Sequence, residues 1–209
     1  MPYLFVVLTF VGVSTFIIWK VVAQSRQSAA NLQALAQKLG LEYRQQKFGL
    51  FDTVGAATGK LMEREVGFHQ FTTGSGKTEQ KWCAVSVFPK ETGRLTFNLH
   101  QQGWVSKLEA LFGAREATVG DEAFDKTWFL QTNEPEFLGA ALVPEIREKL
   151  MAAQAAGGLA VHFRLEKGTV RYAELGDFSS DSACARLEQM LPVLYDLADI
   201  AEVAAARDL

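Results

Sequence analysis

Cysteines are scarce in this 209-residue sequence, and basic residues, 21 in number, do not exceed the 24 acidic ones. Cys83 and Cys184 lie far apart and belong to no Cys-x-x-Cys pattern, which argues against a disulfide scaffold and against a cysteine metal site. We interpret both as reduced thiols in the core, and a disulfide between them is the alternative. The net charge of -3 carries no signature of nucleic-acid binding, so no nucleic-acid partner is expected.

Motifs of catalysis are also missing. The sequence has no Gly-x-Ser-x-Gly elbow, no His-Glu-x-x-His and no carboxylate pair placed for acid–base chemistry. The segment from Gly74 to Thr78 imitates the end of a phosphate-binding loop, but Phe71 stands where that motif needs its first glycine. It therefore predicts a polar hairpin turn in which Lys77 binds no nucleotide. We predict no catalytic, cofactor-binding or metal-ligating residue, and no cofactor.

Three histidines and two acids are the remaining candidates for chemistry. His69, His100 and His162 fall in predicted strands, and alternation puts His100 and His162 on the polar face. We interpret all three as surface or half-covered side chains, and a three-histidine zinc site is the alternative. Asp121 and Asp125 gain a role only if a deep pocket brings one of them to a histidine.

Apolar residues, by contrast, are concentrated at the N-terminus. Residues 3–19 carry no charge, and a helix of about 20 residues spans a hydrocarbon core of roughly 30 Å. We predict an anchor over residues 1–23, with residues 3–22 integral to the membrane. A cleaved signal peptide and a buried core helix are the alternatives. The absence of a charge before the apolar run argues against the first, and the absence of a polar face argues against the second.

The charged residues that follow the apolar run are mainly basic: there are five basic residues and one acid, Glu42. By the positive-inside rule the following domain lies in the cytoplasm, and the protein is predicted to be a single-pass protein of the bacterial inner membrane. The five basic residues are Lys20, Arg26, Lys38, Arg44 and Lys47.

The rest of the chain predicts a juxtamembrane helix over residues 24–40 and one soluble domain over residues 41–209. Because consecutive strands are separated by short turns, the fold class is α+β, with one mostly antiparallel sheet packed with amphipathic helices. Residues 48–58, rich in small side chains, predict a loop. The predicted strands are 41–45, 60–65, 67–72, 81–88, 94–100, 124–131, 159–166 and 169–175. The predicted helices are 104–112, 134–155 and 181–206. Pro144 is expected to kink or divide the second of these, and Pro192 to bend the third.

One stretch of the sequence resembles a known group of proteins. The similarity lies in Leu111-Phe112-Gly113, Gly120-Asp121-Glu122-Ala123-Phe124-Asp125, Phe129 and Asn133-Glu134-Pro135, with Val119-Gly120 a slight departure. This phrase is similar to one in uncharacterised bacterial membrane-anchored proteins that carry a domain of unknown function. The resemblance extends over most of residues 40–175. It implies a membrane anchor and no specific activity, so no catalytic residue follows from it.

These observations favour a membrane-anchored binding or scaffold protein, more a binder of a protein partner than an enzyme. An enzyme acting near the membrane without a recognisable motif is the first alternative, and a lipid-binding domain is the second. The oligomeric state and the partner stay open.

Overall fold

The computed structural model describes residues 2–48, 52–91, 93–102, 115–157 and 160–207. Within these ranges the chain forms six α-helices and nine β-strands. In chain order they are α1 (Pro2–Leu39), β1 (Glu42–Phe48), β2 (Asp52–Leu61), β3 (Arg64–Thr73), β4 (Gln80–Phe88), β5 (Phe97–Gln101), β6 (Arg115–Ala117), α2 (Glu122–Thr127), β7 (Trp128–Thr132), α3 (Pro135–Ala141), α4 (Pro144–Ala156), β8 (Val161–Glu166), β9 (Thr169–Leu175), α5 (Asp181–Gln189) and α6 (Leu191–Arg207).

The described strands form one sheet in the order β1-β2-β3-β4-β9-β8-β5-β7-β6, and every neighbouring pair is antiparallel. Strands β1 to β4 follow each other as a meander. The β8–β9 hairpin then inserts between β4 and β5, so that the last hairpin joins the two halves of the sheet. The predicted α+β class with an antiparallel sheet is confirmed.

Helix α1 packs on the small residues of β2. The predicted loop over residues 48–58 is therefore wrong for its described part, which is strand. A Cβ on Gly55 would lie 3.0 Å from the Tyr43 ring and 3.1 Å from Leu32, and one on Gly59 would lie 2.9 Å from Leu41. Glycine therefore lets α1 and β1 approach the strand closely. The small side chains that suggested a loop instead mark a tightly packed strand.

Two hairpin turns agree with their prediction. Lys167 and Gly168 join β8 to β9 with φ of 51° and 70°, the left-handed pair of a tight hairpin turn. Gly74 has φ of 80°, and a Cβ there would lie 2.3 Å from the Thr78 carbonyl oxygen. The segment containing Lys77 is a short 3-10 turn between the antiparallel strands β3 and β4, so it does not begin the helix that a phosphate-binding loop requires.

The predicted strand over residues 124–131 is wrong in its first half. Asp121 accepts hydrogen bonds from the backbone N–H groups of Ala123 and Phe124, and this N-cap starts α2 before the strand begins at Trp128. Phe124 is buried, as expected. The predicted helix over residues 104–112 lies outside the described residues.

Each of the two C-terminal helical regions is divided close to a proline. This agrees with the prediction for Pro144, whereas around Pro192 the prediction was one bent helix and the chain forms two. Pro144 is the first residue of α4, directly after α3 has ended at Ala141. Pro192 follows the break at Met190 between α5 and α6. Both prolines stand in the first turn of a helix, where a missing N–H leaves no hydrogen bond unmade.

The helices cover one face of the sheet. The main core lies between this face and the helices, with the rings of Phe68, Tyr172, Phe163 and Trp128 at its centre. A smaller cluster on the opposite face has Trp82 beside the alanines of β4 and β9 and contains no residue of the described helices. We call this opposite side the second face.

Candidate functional site

Helix α1 has two halves with different surroundings. Leu32, Leu35 and Ala36 are buried in the main core, against β1, β2 and α5. The preceding residues carry large apolar side chains that remain exposed, including Phe16 at 56% and Trp19 at 64%. Exposed aromatic and branched side chains on consecutive turns mark a surface that contacts something other than water. None of the helices in the described part of the chain has both the length and the apolar character that crossing a membrane requires.

A polar seam joins α1 to the domain just after this exposed stretch. The Gln24 amide donates to the Asp177 carboxylate at 2.7 Å, and the Gln70 amide donates to the Ser28 hydroxyl at 2.9 Å. One helical turn further, the Asn31 amide donates to the Phe178 carbonyl oxygen at 2.9 Å. These bonds fix the direction in which α1 leaves the domain.

A cavity of about 200 Å³ opens along this seam. We call it the junction cavity. Its lining combines one face of α1 with side chains from the edge of the domain: Val21, Gln24, Ser25, Ser28, Gln70, Lys81 and Asp177.

The three predicted histidines share one line across the second face. His100 is the register partner of His162, while Ala173 and Ala84 stand between His162 and His69 on the two intervening strands. At about 4.8 Å per strand, three steps separate His69 from His162 by about 14 Å. His69 is therefore too far away to share a ligand ion with the other two. Within the described residues no three His, Cys, Asp or Glu side chains are grouped as a metal site.

The surroundings of the histidines are aromatic. The His162 ring meets Trp82 edge to face with centroids 5.1 Å apart, and His100 lies 5.0 Å from Phe129. Burial, and secondly the charge of the Arg171 guanidinium, lower the pKa of His69 to about 4. His69 is therefore neutral at physiological pH. The prediction of half-covered histidines agrees with this packing, except that His162 is buried.

Asp121 and Asp125 act locally. The Asp125 carboxylate accepts hydrogen bonds from the backbone N–H groups of Val119 and Gly120, at 3.0 and 3.2 Å. Asp121 caps α2 and lies 3.6 Å from the Arg147 guanidinium. In their described contacts neither carboxylate meets a histidine. The combination required by the enzyme alternative therefore does not occur among these contacts.

A buried charge pair lies between β9 and α5. The Arg186 guanidinium donates two hydrogen bonds to the Glu174 carboxylate, at 2.7 and 3.0 Å, and the Tyr172 hydroxyl donates a third at 3.2 Å.

Burial raises the pKa of the Cys83 thiol strongly and that of Cys184 to about 11. Both cysteines are free, buried and protonated, in agreement with inert core thiols.

The helical layer carries an open apolar groove with a volume of about 460 Å³. It runs between the α3–α4 corner and α6, and we call it the helical groove. Its lining is Phe137, Ala140, Ala141, Ile146, Asp196, Asp199, Ile200 and Val203.

The rim of the helical groove is acidic. Asp199 and Glu202 share one guanidinium, that of Arg64, whose side chain is only 10% exposed. Asp196 is balanced by Lys149. Two carboxylates around one buried cation leave an excess negative charge on the α6 side of the mouth, where Asp199 is 64% exposed, while the Arg207 guanidinium lies 4.6 Å from the centroid of the Phe137 ring.

Comparison with known proteins gives a fold likeness only. No protein-family model and none of the curated proteins matches the sequence. The crystal structure of the mycobacterial trehalose monomycolate transport factor A is similar, with a TM-score of 0.59 and 11% sequence identity. The match covers 84% of this chain and 94% of the other. At that identity the likeness shows a shared α+β fold.

Two features were not predicted from the sequence. The Glu174–Arg186 pair had a weak signal, because Glu174 interrupts the apolar residues of a strand whose neighbours are buried. The junction cavity had another. Gln24, Ser28 and Asn31 are polar residues on the same stripe of α1 that carries Leu32 and Leu35 further on, and polar residues on a buried stripe indicate partners.

Proposed function

We propose that the protein is a membrane-anchored binding or scaffold protein that holds a cytoplasmic partner-binding domain at the bacterial inner membrane. The observation that carries the proposal is the double role of α1. One uninterrupted helix of 38 residues, about 57 Å long, exposes apolar side chains at one end and fills the core at the other. The proposed anchor and the domain therefore share one helix.

The membrane part of the proposal is supported by the sequence of residues 3–22 and by the exposed side chains that continue it to Val21. Exposed valine, isoleucine and phenylalanine side chains are stable against hydrocarbon and unfavourable against water. Lys20 lies 5.7 Å from the centroid of the Phe16 ring, and its long side chain can reach the headgroup region from there.

The binding part of the proposal is supported by the helical groove. An open apolar groove between helices, with the carboxylates of Asp199 and Glu202 on one side of its mouth, suits an amphipathic helix of another protein that carries a basic residue beside its apolar face. Phe137 and Val203 would then contact the apolar residues of that helix. Asp199 would face a lysine or arginine at its edge.

A second candidate is an accessory factor in the transport of an envelope lipid. Its support is the fold likeness to a transport factor for trehalose monomycolate. The same groove would then receive a transporter segment, or an apolar part of the lipid. Lipids that copurify with the protein distinguish this candidate from a scaffold.

The test is affinity purification of the full chain from membranes, followed by protein and lipid mass spectrometry. Val203→Asp places a charge in the helical groove at a side chain that is 56% exposed, so the fold tolerates it. Met62→Asp is the matched control, because Met62 is 76% exposed and lies at the β2–β3 turn, outside the groove.

A stoichiometric protein partner that is retained by Met62→Asp and reduced about tenfold by Val203→Asp supports the proposal, because a charge at the centre of an interface costs at least this much affinity. Removal of residues 1–23 should move the protein from the membrane fraction to the soluble fraction. A full chain that alkaline carbonate releases from membranes would refute the anchor. Equal partner recovery with both variants would refute the groove.

A further inference from the structure

The junction cavity contains two opposite charges that do not neutralise each other. Lys81 and Asp177 both line it. Within the described residues neither side chain belongs to an ion pair. The Asp177 carboxylate instead accepts hydrogen bonds from the Gln24 amide at 2.7 Å and from the Ser179 backbone N–H at 2.8 Å. The lining of the cavity thus contains a cation and an anion that two hydrogen bonds hold in place.

The neutral part of the lining is suited to a polar ligand. The Ser25 and Ser28 hydroxyls stand on α1 beside the Gln24 and Gln70 amides. Hydroxyl and amide groups donate to phosphate oxygens, and an ammonium group donates to a carboxylate. A volume of about 200 Å³ is below the range of roughly 300–1,000 Å³ typical of sites that enclose a whole drug-sized molecule. A headgroup fits it, and acyl chains do not.

The position of the cavity follows from α1. Val21, at its upper end, is the last exposed large apolar residue of the proposed anchor, and Ser28 lies about 10 Å further along the helix. The headgroup layer on each side of a bilayer is about 5–8 Å thick, since the whole membrane measures roughly 40–45 Å around a core of about 30 Å. The end of the cavity nearest Val21 and Gln24 therefore lies at the depth of the headgroups.

We infer that the junction cavity binds the headgroup of a zwitterionic membrane lipid of the phosphoethanolamine class. Lys81 and the serine hydroxyls contact the phosphate, while Asp177 accepts from the primary ammonium. A choline headgroup carries no N–H and cannot donate to Asp177. A glycerol headgroup carries no cation. This inference rests on the membrane anchoring proposed above.

The experiment uses the full chain in nanodiscs made of equal parts phosphatidylethanolamine, phosphatidylcholine and phosphatidylglycerol. Native mass spectrometry of protein released from the discs identifies the lipid that stays bound. We expect one retained phosphatidylethanolamine per chain, favoured about tenfold over the other two lipids, since each charge-assisted hydrogen bond contributes on that scale.

Two variants test the assigned contacts. Lys81→Gln should lower the retention of all three lipids, because it removes the cation that contacts their common phosphate, while Lys77→Gln, an exposed lysine in the adjacent turn that does not line the cavity, should leave retention unchanged. Asp177→Asn should shift the preference toward phosphatidylglycerol, because only the cation remains. Lys81 is exposed, so its replacement does not disturb the fold, and this variant is decisive even if Asp177→Asn lowers the melting temperature.

Three outcomes overturn the inference. Retention without preference in discs that contain the protein refutes the headgroup site and leaves the anchor intact. Displacement of the lipid by an equal concentration of soluble phosphoethanolamine means that the ligand is the free compound. Failure of the chain to enter nanodiscs refutes the anchor, and the headgroup site with it.

Discussion

Removal of the Arg186 guanidinium should destabilise the fold more than removal of any other charge in the described chain. The Glu174 side chain is only 1% exposed, and Arg186 supplies two of the three side-chain hydrogen bonds that its carboxylate receives. In Arg186→Met the carboxylate keeps only the Tyr172 hydroxyl. An uncompensated buried charge of this kind costs about 3–5 kcal/mol. This is a large part of the roughly 5–15 kcal/mol that separates folded and unfolded states.

The double variant Glu174→Met/Arg186→Met isolates the cause. It removes both charges together and fills the space with apolar atoms, so it should recover most of the stability lost in Arg186→Met. Glu174→Met alone should cost less than Arg186→Met, since Arg186 is 25% exposed and can turn its charge to water. The Tyr172 hydroxyl loses its acceptor in both variants that lack Glu174, so the energetic cost of that lost hydrogen bond cancels when the two are compared.

The assay is urea unfolding of the detergent-solubilised full chain, followed by the fluorescence of the buried Trp82 and Trp128. A double-mutant cycle should give a coupling energy above about 2 kcal/mol. An Arg186→Met variant that costs less than about 1 kcal/mol and is additive with Glu174→Met would refute the account of a desolvated charge pair.

Three further perturbations have defined outcomes. His69 is half-buried, and its pKa is near 4 in the folded state against about 6.5 in the unfolded state. The free energy of unfolding is therefore highest above pH 6.5 and falls toward pH 4 by at most about 3 kcal/mol. Urea unfolding of His69→Gln should show a flatter pH dependence. Gly55→Val should lower stability by about 1–3 kcal/mol by pushing α1 from β2, whereas Gly67→Ala, with its new carbon 3.6 Å from Thr58, should fit the strand with little strain. A chain that begins at residue 24 should fold, and circular dichroism should find one that begins at residue 41 unfolded.

The parts of the fold that follow from local chemistry were predictable. The Lys167–Gly168 turn fixed the β8–β9 hairpin, and Pro144 divided its helical region where its missing N–H group requires it. The insertion of that hairpin between β4 and β5 has no local signal, because strand order depends on contacts between distant segments. The position of β8 and β9 in the sheet could therefore not be predicted from the sequence.

The errors have physical causes too. Glycine is typical of loops, so Gly55 suggested a loop. In the structure this glycine allows Leu32 of α1 to approach the strand closely, and a pattern in one sequence does not show such a tertiary contact. Phe124 continues the apolar residues of a strand, but the Asp121 cap three residues earlier starts a helix at that point. The histidines were assigned correctly to a strand face, whereas their spacing across that face depends on the strand order. The candidate sites lie where separate elements meet, which explains why their residues were the least predictable.

The two proposed binding sites border the same hydrophobic core. The junction cavity lies on the seam that holds α1, whereas the helical groove lies on α6, and both helices pack against the same core. Closely packed interiors transmit displacement rather than absorb it, so a ligand that tightens the seam also fixes the orientation of the groove above the membrane. A headgroup bound beside Asp177 would thus reduce the orientational freedom that a partner helix must restrict on binding. Because such coupling is reciprocal, a partner in the groove should strengthen lipid retention by the same factor by which the lipid strengthens partner binding.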